Sequence, residues 1–202
     1  VFLVDMRDAV GNGLSINPIE TVMNHASTEL FFEDLRVPAE NLVGEEGQGF
    51  RCILDGMNAE RILIGAECIG DARWFTEKAS GYAREREVFD RPIGANQAIA
   101  HPLALAHVQL RAAFLSMQQA AWRYDRGLPC GEEANSAKYL AAEACWFAAD
   151  QAIQTHGGLG YATEYQVERY WREARLQRLA PVSQEMTLNF IAQTVMGLPR
   201  CY

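Results

Sequence analysis

Residues 50–86 read FRCILDGMNAERILIGAECIGDARWFTEKASGYARER, and this stretch sets the fold. Its pattern predicts one long helix, which needs other helices to cover it. At about 100° per residue, Ile53, Met57, Glu60 and Ile64 fall within an arc of roughly 60°, so Glu60 sits in an apolar stripe. From Ile62 to Gly70 (ILIGAECIG) the sequence is apolar almost all round, the pattern of a central bundle helix. Burial disfavours the charged form of a carboxyl, and a carboxyl so placed suits a general base working near neutral pH. The competing readings are a pair with an Arg from another helix and a place at the bundle rim. Arg61, the adjacent residue, points elsewhere, so the two need not pair.

On the N-terminal side of this helix the character is β. VFLVD (1–5) reads as a compact apolar strand and Asp8 to Gly13 as loop. TELFFEDLRVP (28–38) alternates until Pro38 stops it, and GEEGQGF (44–50), with three glycines, is a flexible joint. On the C-terminal side the loop FDRPIGAN leads to a second long helix over about 97–126, with Pro102 tolerable near its first turn. After GLPCGEE, a third helix covers about 134–155 and stops at Gly157-Gly158, a C-cap signal. A short charged helix is expected over about 164–178. A last helix runs from Ser183, a plausible N-cap, to Met196, with Gly197 and Pro199 beyond it. Long helices joined by short loops predict a mainly α protein built as an up-and-down four-helix bundle.

The bulk numbers agree with a folded soluble chain. Of 202 residues 49% are hydrophobic and 22% charged, which is not the composition of a disordered segment. A net charge of -8 argues against nucleic acid or an anionic membrane as the main partner. No apolar run approaches the ~18 residues that span a bilayer. Five cysteines without a C-x-x-C spacing point to reduced, buried thiols rather than a disulfide framework, and the four histidines share no metal-ligand spacing.

Two further segments carry site-like chemistry. In AREREVFDRPIGANQ (83–97), Arg86 comes near the end of the first long helix, where a guanidinium could grip a pyrophosphate or simply complement the helix dipole. In QTHGGLGY (154–161), paired glycines let a backbone approach a ligand closely, or serve only as a helix C-cap. His156 reads as a loop histidine.

Taken in order, TELFFEDLRVPAENLVGEEGQGF, AREREVFDRPIGANQAIAHPLA and QTHGGLGYATEYQVERYWREARL resemble the acyl-CoA dehydrogenase family over essentially the whole chain. The resemblance implies that residues 1–44 are the C-terminal remnant of a β-barrel-like middle domain and that residues 45–202 are the C-terminal helical-bundle domain. It implies FAD, an acyl-CoA substrate, a homo-oligomer (dimer or tetramer), and an electron-transferring flavoprotein as acceptor. A bacterial cytoplasm or a mitochondrial matrix would fit. By the same resemblance Arg86, Phe89 and Gln97 hold the FAD of a neighbouring subunit, and Gln154 and Gly158 contact it across the dimer interface. Asp90 departs from the Gly usual after the Phe, which leaves the local backbone open.

A larger departure concerns the base. Many members carry Glu-Gly-Thr where this chain has Pro181, Val182 and Ser183, and proline cannot take a proton. Isovaleryl- and long-chain-type members place the base on the first long bundle helix, directly before an Arg, and here that position is Glu60, followed by Arg61. Glu60 is therefore expected to remove the α-proton while the β-hydrogen leaves as hydride to the flavin. Arg61, Met57 and Asn58 are expected at the substrate, and Ser183 and Glu185 near the FAD ribose. Two other readings stay open: an acyl-CoA oxidase or flavin monooxygenase-like relative, and, for this stretch alone, a non-catalytic helical oligomerisation module.

Overall fold

A computed structural model of the chain describes residues 1–23 and 25–200; Cys201, counted above, lies outside them. The chain divides into two compact units, Val1–Met57 and Asn58–Tyr202.

In the first unit, β1 (Leu14–Ile19) and β2 (Ser27–Phe32) pair antiparallel, Leu14 opposite Phe32 and Ile19 opposite Ser27. β2 realises the alternating stretch. β1 was not among the expected elements; it contains Pro18, which is tolerated because in a two-stranded ladder both strands are edges. VFLVD is not a strand. Phe2 makes only an isolated bridge to Leu42, while the Leu3 and Val43 N–H groups donate to the carbonyls of Asn41 and Val1. Asp5 ends the extended run by capping a short helix, α1 (Met6–Ala9), where its side chain accepts from the Arg7 N–H at 3.0 Å. That helix takes up the start of the expected 8–13 loop. Gly44 and Gly47 have positive φ of 74° and 80°, so the glycine-rich joint uses the freedom its composition offers.

The second unit is helical. It holds most of α2 (Gly49–Glu85), then α3 (Gln97–Asp125), α4 (Gly131–His156), α5 (Val167–Leu176) and α6 (Gln184–Phe190). A π-helical turn, Ile191–Val195, continues α6. α4 begins three residues earlier than expected, since Glu132 and Glu133 favour a helix N-terminus. α5 is shorter than expected, because a 3₁₀ turn takes up Thr163–Tyr165.

Ile62 near the start of α2 clusters with Ala120 near the end of α3 and with Ala134 and Ala137 near the start of α4. The three helices therefore run up, down and up. α5 and α6 share the fourth, descending limb beside α4. Arg178, just past α5, reaches Glu143, Gln184 reaches Tyr139, and the Phe190 ring lies 2.8 Å from where a Cβ on Gly131 would sit. A side chain at Gly131 would meet that ring and force it to shift.

The core is rich in alanine: Ala72, Ala79, Ala106, Ala113, Ala141 and Ala149 are fully buried around Phe75. Small side chains let helix axes approach closely at the packing density of protein interiors. The expectation that ILIGAECIG is buried all round does not hold. Ile62, Gly65, Cys68 and Ile69 are buried, but Leu63 is 67% exposed, and Ala66, Glu67 and Gly70 are exposed too. Glu60 lies about 120° round the helix from the middle of the buried face at Ala72, while Ile64, from the same stripe, packs against the core.

Candidate active site

α2 stops at Glu85, and Arg86 stands at the next position, exposed. Two-residue strands β3 (Glu87–Val88) and β4 (Arg91–Pro92) then form a hairpin whose turn residues are Phe89 and Asp90. Both have positive φ, 55° and 60°, the arrangement of a type I′ turn, which normally prefers Asn-Gly. Asp takes the left-handed region at modest cost through local hydrogen bonding, whereas an aromatic residue there is strained. So Asp90 in place of glycine leaves the turn intact, and the strain sits on Phe89, whose side chain is 93% exposed. Strain of this kind collects at ligand clamps. The Ile93 N–H donates to the Arg86 carbonyl at 2.8 Å, and Arg91 Nη2 donates to Asn96 Oδ1 at 2.9 Å, so the loop is tied at its base. Gln97, the first residue of α3, is exposed.

The end of α4 meets the end of α2. A cavity of about 370 Å³ is lined by Tyr82, Arg86, Gln154, His156 and Gly158 among others. The structure thus brings Arg86, Gln154 and Gly158 together; Phe89, Gln97, Ser183 and Glu185 do not line this cavity. A neighbouring hollow of about 410 Å³ adds Trp74, Lys78 and Tyr165 around the same Tyr82–His156 pair.

His156 is the last residue of α4 rather than a loop residue, and it is 3% exposed. Its Nδ1–H donates to the Ala152 carbonyl at 2.8 Å. Its ring stacks on Tyr82 and takes the edge of Tyr165. Burial pushes its pKa down, with Lys78 adding to the effect and the Ala152 carbonyl opposing it, so the ring is held neutral and Nε2 is left an acceptor without a partner. A guanidinium, a side-chain amide, bare glycine backbone and an orphaned acceptor in one cavity wall make a donor and acceptor set that fits a cofactor carrying both pyrophosphate and hydroxyl groups, as FAD does. Tyr82 and Trp74 were not anticipated; Tyr82 stands one turn before Arg86 on α2, which is the signal that could have found it.

Glu60 is exposed, which corrects the expectation of a sheltered carboxyl. Its stripe-mate Ile53 is exposed as well. Met57, Asn58 and Arg61 are half-buried. Arg61 Nη1 donates to Asn58 Oδ1 at 3.1 Å, which joins two of the expected substrate residues. The Arg61 Nε is buried without a partner, and burial lowers the Arg61 pKa while Glu60 opposes that shift.

Between α5 and α6 the chain makes an elbow through Pro181, Val182 and Ser183. The Ser183 hydroxyl caps α6, accepting from the Met186 N–H at 3.3 Å. Glu185, in the first turn of α6, is exposed. A hydrogen bond from its own backbone N–H, and another from Ser183, hold its carboxyl below the usual range, so Glu185 stays a carboxylate and makes a poor base.

A family model for the C-terminal domain of acyl-CoA dehydrogenases matches residues 47–196. The acyl-CoA dehydrogenase FadE12 of Mycobacterium tuberculosis is 45% identical over 194 residues, covering 94% of this chain and 50% of that protein. An acyl-CoA dehydrogenase of Bacillus subtilis is 39% identical over 171 residues, covering 85% of this chain and 45% of the relative. Among solved structures, a probable acyl-CoA dehydrogenase from Mycobacterium abscessus superposes with a TM-score of 0.87 at 32% identity, covering 91% of this chain and 50% of the other. The chain spans about half the length of the curated relatives it matches.

Proposed function

This chain belongs to the acyl-CoA dehydrogenase family, and on that premise we propose that it serves the FAD-dependent α,β-dehydrogenation of an acyl-CoA thioester to a trans-2-enoyl-CoA. The observation that carries the reading is the convergence of Arg86 with Gln154 and Gly158 on one cavity. These residues lie far apart in sequence, and each alone has a purely structural explanation.

In this reading residues 1–44 close a middle β-domain and residues 45–202 form the C-terminal bundle. When bound, FAD supplies the acceptor for the hydride that leaves the β-carbon. Arg86 holds the pyrophosphate with Phe89, Gln97, Gln154 and Gly158 around it, and Ser183 and Glu185 meet the ribose region. Glu60 takes the α-proton on a carboxylate oxygen, because Pro181 cannot and Glu185 is held as a weak base. Arg61 and Asn58, already joined to each other, orient the acyl end with Met57. The working protein is a homo-oligomer that passes electrons to an electron-transferring flavoprotein.

The test is an absorbance spectrum of the full-length protein, titrated with a panel of acyl-CoA thioesters. The expected result is an oxidised flavin spectrum that bleaches with at least one of them. A protein that binds no flavin, or a flavin that none of them reduces, would overturn the reading.

A further inference from the structure

One cation lies inside the bundle. Lys138, on α4, is 0% exposed, and desolvation lowers its pKa, with Cys68, Glu143 and Glu185 opposing. A buried ammonium is costly unless it is hydrogen-bonded, so its retention calls for a partner. The partner is on the elbow: Lys138 Nζ donates to Gln184 Oε1 at 3.1 Å. The other end of the Gln184 amide donates to the Tyr139 carbonyl at 3.2 Å and to Glu143 Oε1 at 2.9 Å. That same Glu143 oxygen accepts from Arg178 Nε at 2.7 Å. Gln184 is itself buried at 5% exposure. Both ends of the elbow, Arg178 and Gln184, are therefore tied to one stretch of α4.

The backbone of the elbow is held at its ends, where the Leu179 and Ala180 N–H groups donate to the Leu176 carbonyl at 2.7 and 3.0 Å and the Gln184 N–H donates to the Arg178 carbonyl at 3.2 Å. Pro181 has no N–H to give, and Ser183 caps only the start of α6. Ser183 and Glu185 flank Gln184 directly, so anchoring the Gln184 side chain fixes the stretch of backbone from which those two residues project.

We propose that Lys138 is a positioning residue: through Gln184 it fixes the Arg178–Glu185 elbow, and so presents Ser183 and Glu185 to the cofactor. The proposal rests on the reading that puts FAD against those two residues. It adds a buried residue that touches no cofactor itself and acts from the core side. An amide bonded on both ends has one orientation, and a site residue is placed well only when its supporting residues are locked.

The test uses the full-length protein in two variants and their combination. Lys138→Met keeps the unbranched stem and removes the ammonium; Gln184→Leu removes its partner. Each single variant is expected to weaken FAD binding about tenfold, the cost of one hydrogen bond to a charged group. The double variant is expected to be no weaker than either single, since both break the same link. Trypsin is expected to cut after Arg178 about tenfold faster in both single variants at native pH. Helix content by circular dichroism should stay unchanged. If Lys138→Met does not fold, Gln184→Leu carries both readouts. FAD affinity within about twofold of the parent, or losses that multiply in the double variant, would overturn the proposal. If the parent protein binds no FAD, the cofactor reading fails instead. The trypsin rate then decides the elbow link alone, and an unchanged rate would overturn it.

Discussion

The Tyr82 ring, near the end of α2, stacks on that of His156, the last residue of α4, with centroids 4.4 Å apart and planes inclined by 24°. The contact locks together the two helix ends that carry Arg86 and Gln154. Tyr82→Leu is expected to cost about 1 kcal/mol of stability beyond lost area. In the full-length protein it should also weaken FAD binding, because the cavity wall loses its fixed geometry. Thermal melting and a flavin titration check both; unchanged FAD affinity at lowered stability would separate the stack from the cofactor site.

His156 gives the acid limb of stability a sign. Its folded pKa lies below the ordinary 6.5 because the ring is buried. The unfolded chain therefore takes up the proton first, and stability is lost as pH falls below about 6.5 toward the folded value. His156→Gln should flatten that loss while leaving the slope at higher pH as it was. Urea unfolding across that range measures it, and an unchanged acid slope would contradict the assignment.

Asp71 works in the opposite direction. Burial first, then repulsion from Glu67 and Glu173, raise its pKa from 3.8 to about 6. The folded chain holds that proton more tightly, so stability falls as pH rises from about 4 to about 6, and the penalty persists above. Asp71→Asn should stabilise the protein at pH 7.5 by about 1 kcal/mol, after discounting for solvent screening of this half-buried group, and should gain nothing near pH 4. Equal gains at both pH values would rule out a charge effect.

Glu60→Gln in the full-length protein should leave FAD bound and slow flavin reduction by substrate about a thousandfold or more. Stopped-flow bleaching reads the rate. Near-normal reduction would remove Glu60 from the mechanism, and Glu185→Gln would then be the next variant to measure.

The long helices were legible because periodicity over ten or more residues is hard to imitate. The expected span of 50–86 compares with Gly49–Glu85, and the Ser183 cap appears with its hydrogen bond in place. Short β segments were not legible: β1 was not foreseen, and VFLVD looked like a strand while finding only an isolated bridge. The resemblance assigned Arg86 and Gln154 to a cofactor one by one; that they line one cavity is what the structure adds. What failed was reading burial from a stripe. Ile64 shares the face of Glu60 and packs against the core, yet the buried face centres about 120° further round, near Ala72, and leaves Glu60 at its rim. A helix with apolar residues on two sides does not say which side its neighbours occupy. Lys138 and His156 were missed for a related reason, since polar residues are buried only where a partner from a distant segment happens to meet them.

The alanine-lined interior works as a gauge. Ala83 and Ala152 sit about one turn before Arg86 and His156, both buried in the same cluster, so the width of the opening between the two helix ends is metered by methyl groups. Such a gauge can be narrowed only by glycine, which removes the methyl group altogether, and any larger side chain wedges the ends apart. Sequence drift at these inner positions would therefore be felt first as a change in what the mouth of the cavity can grasp, before the bundle itself comes undone.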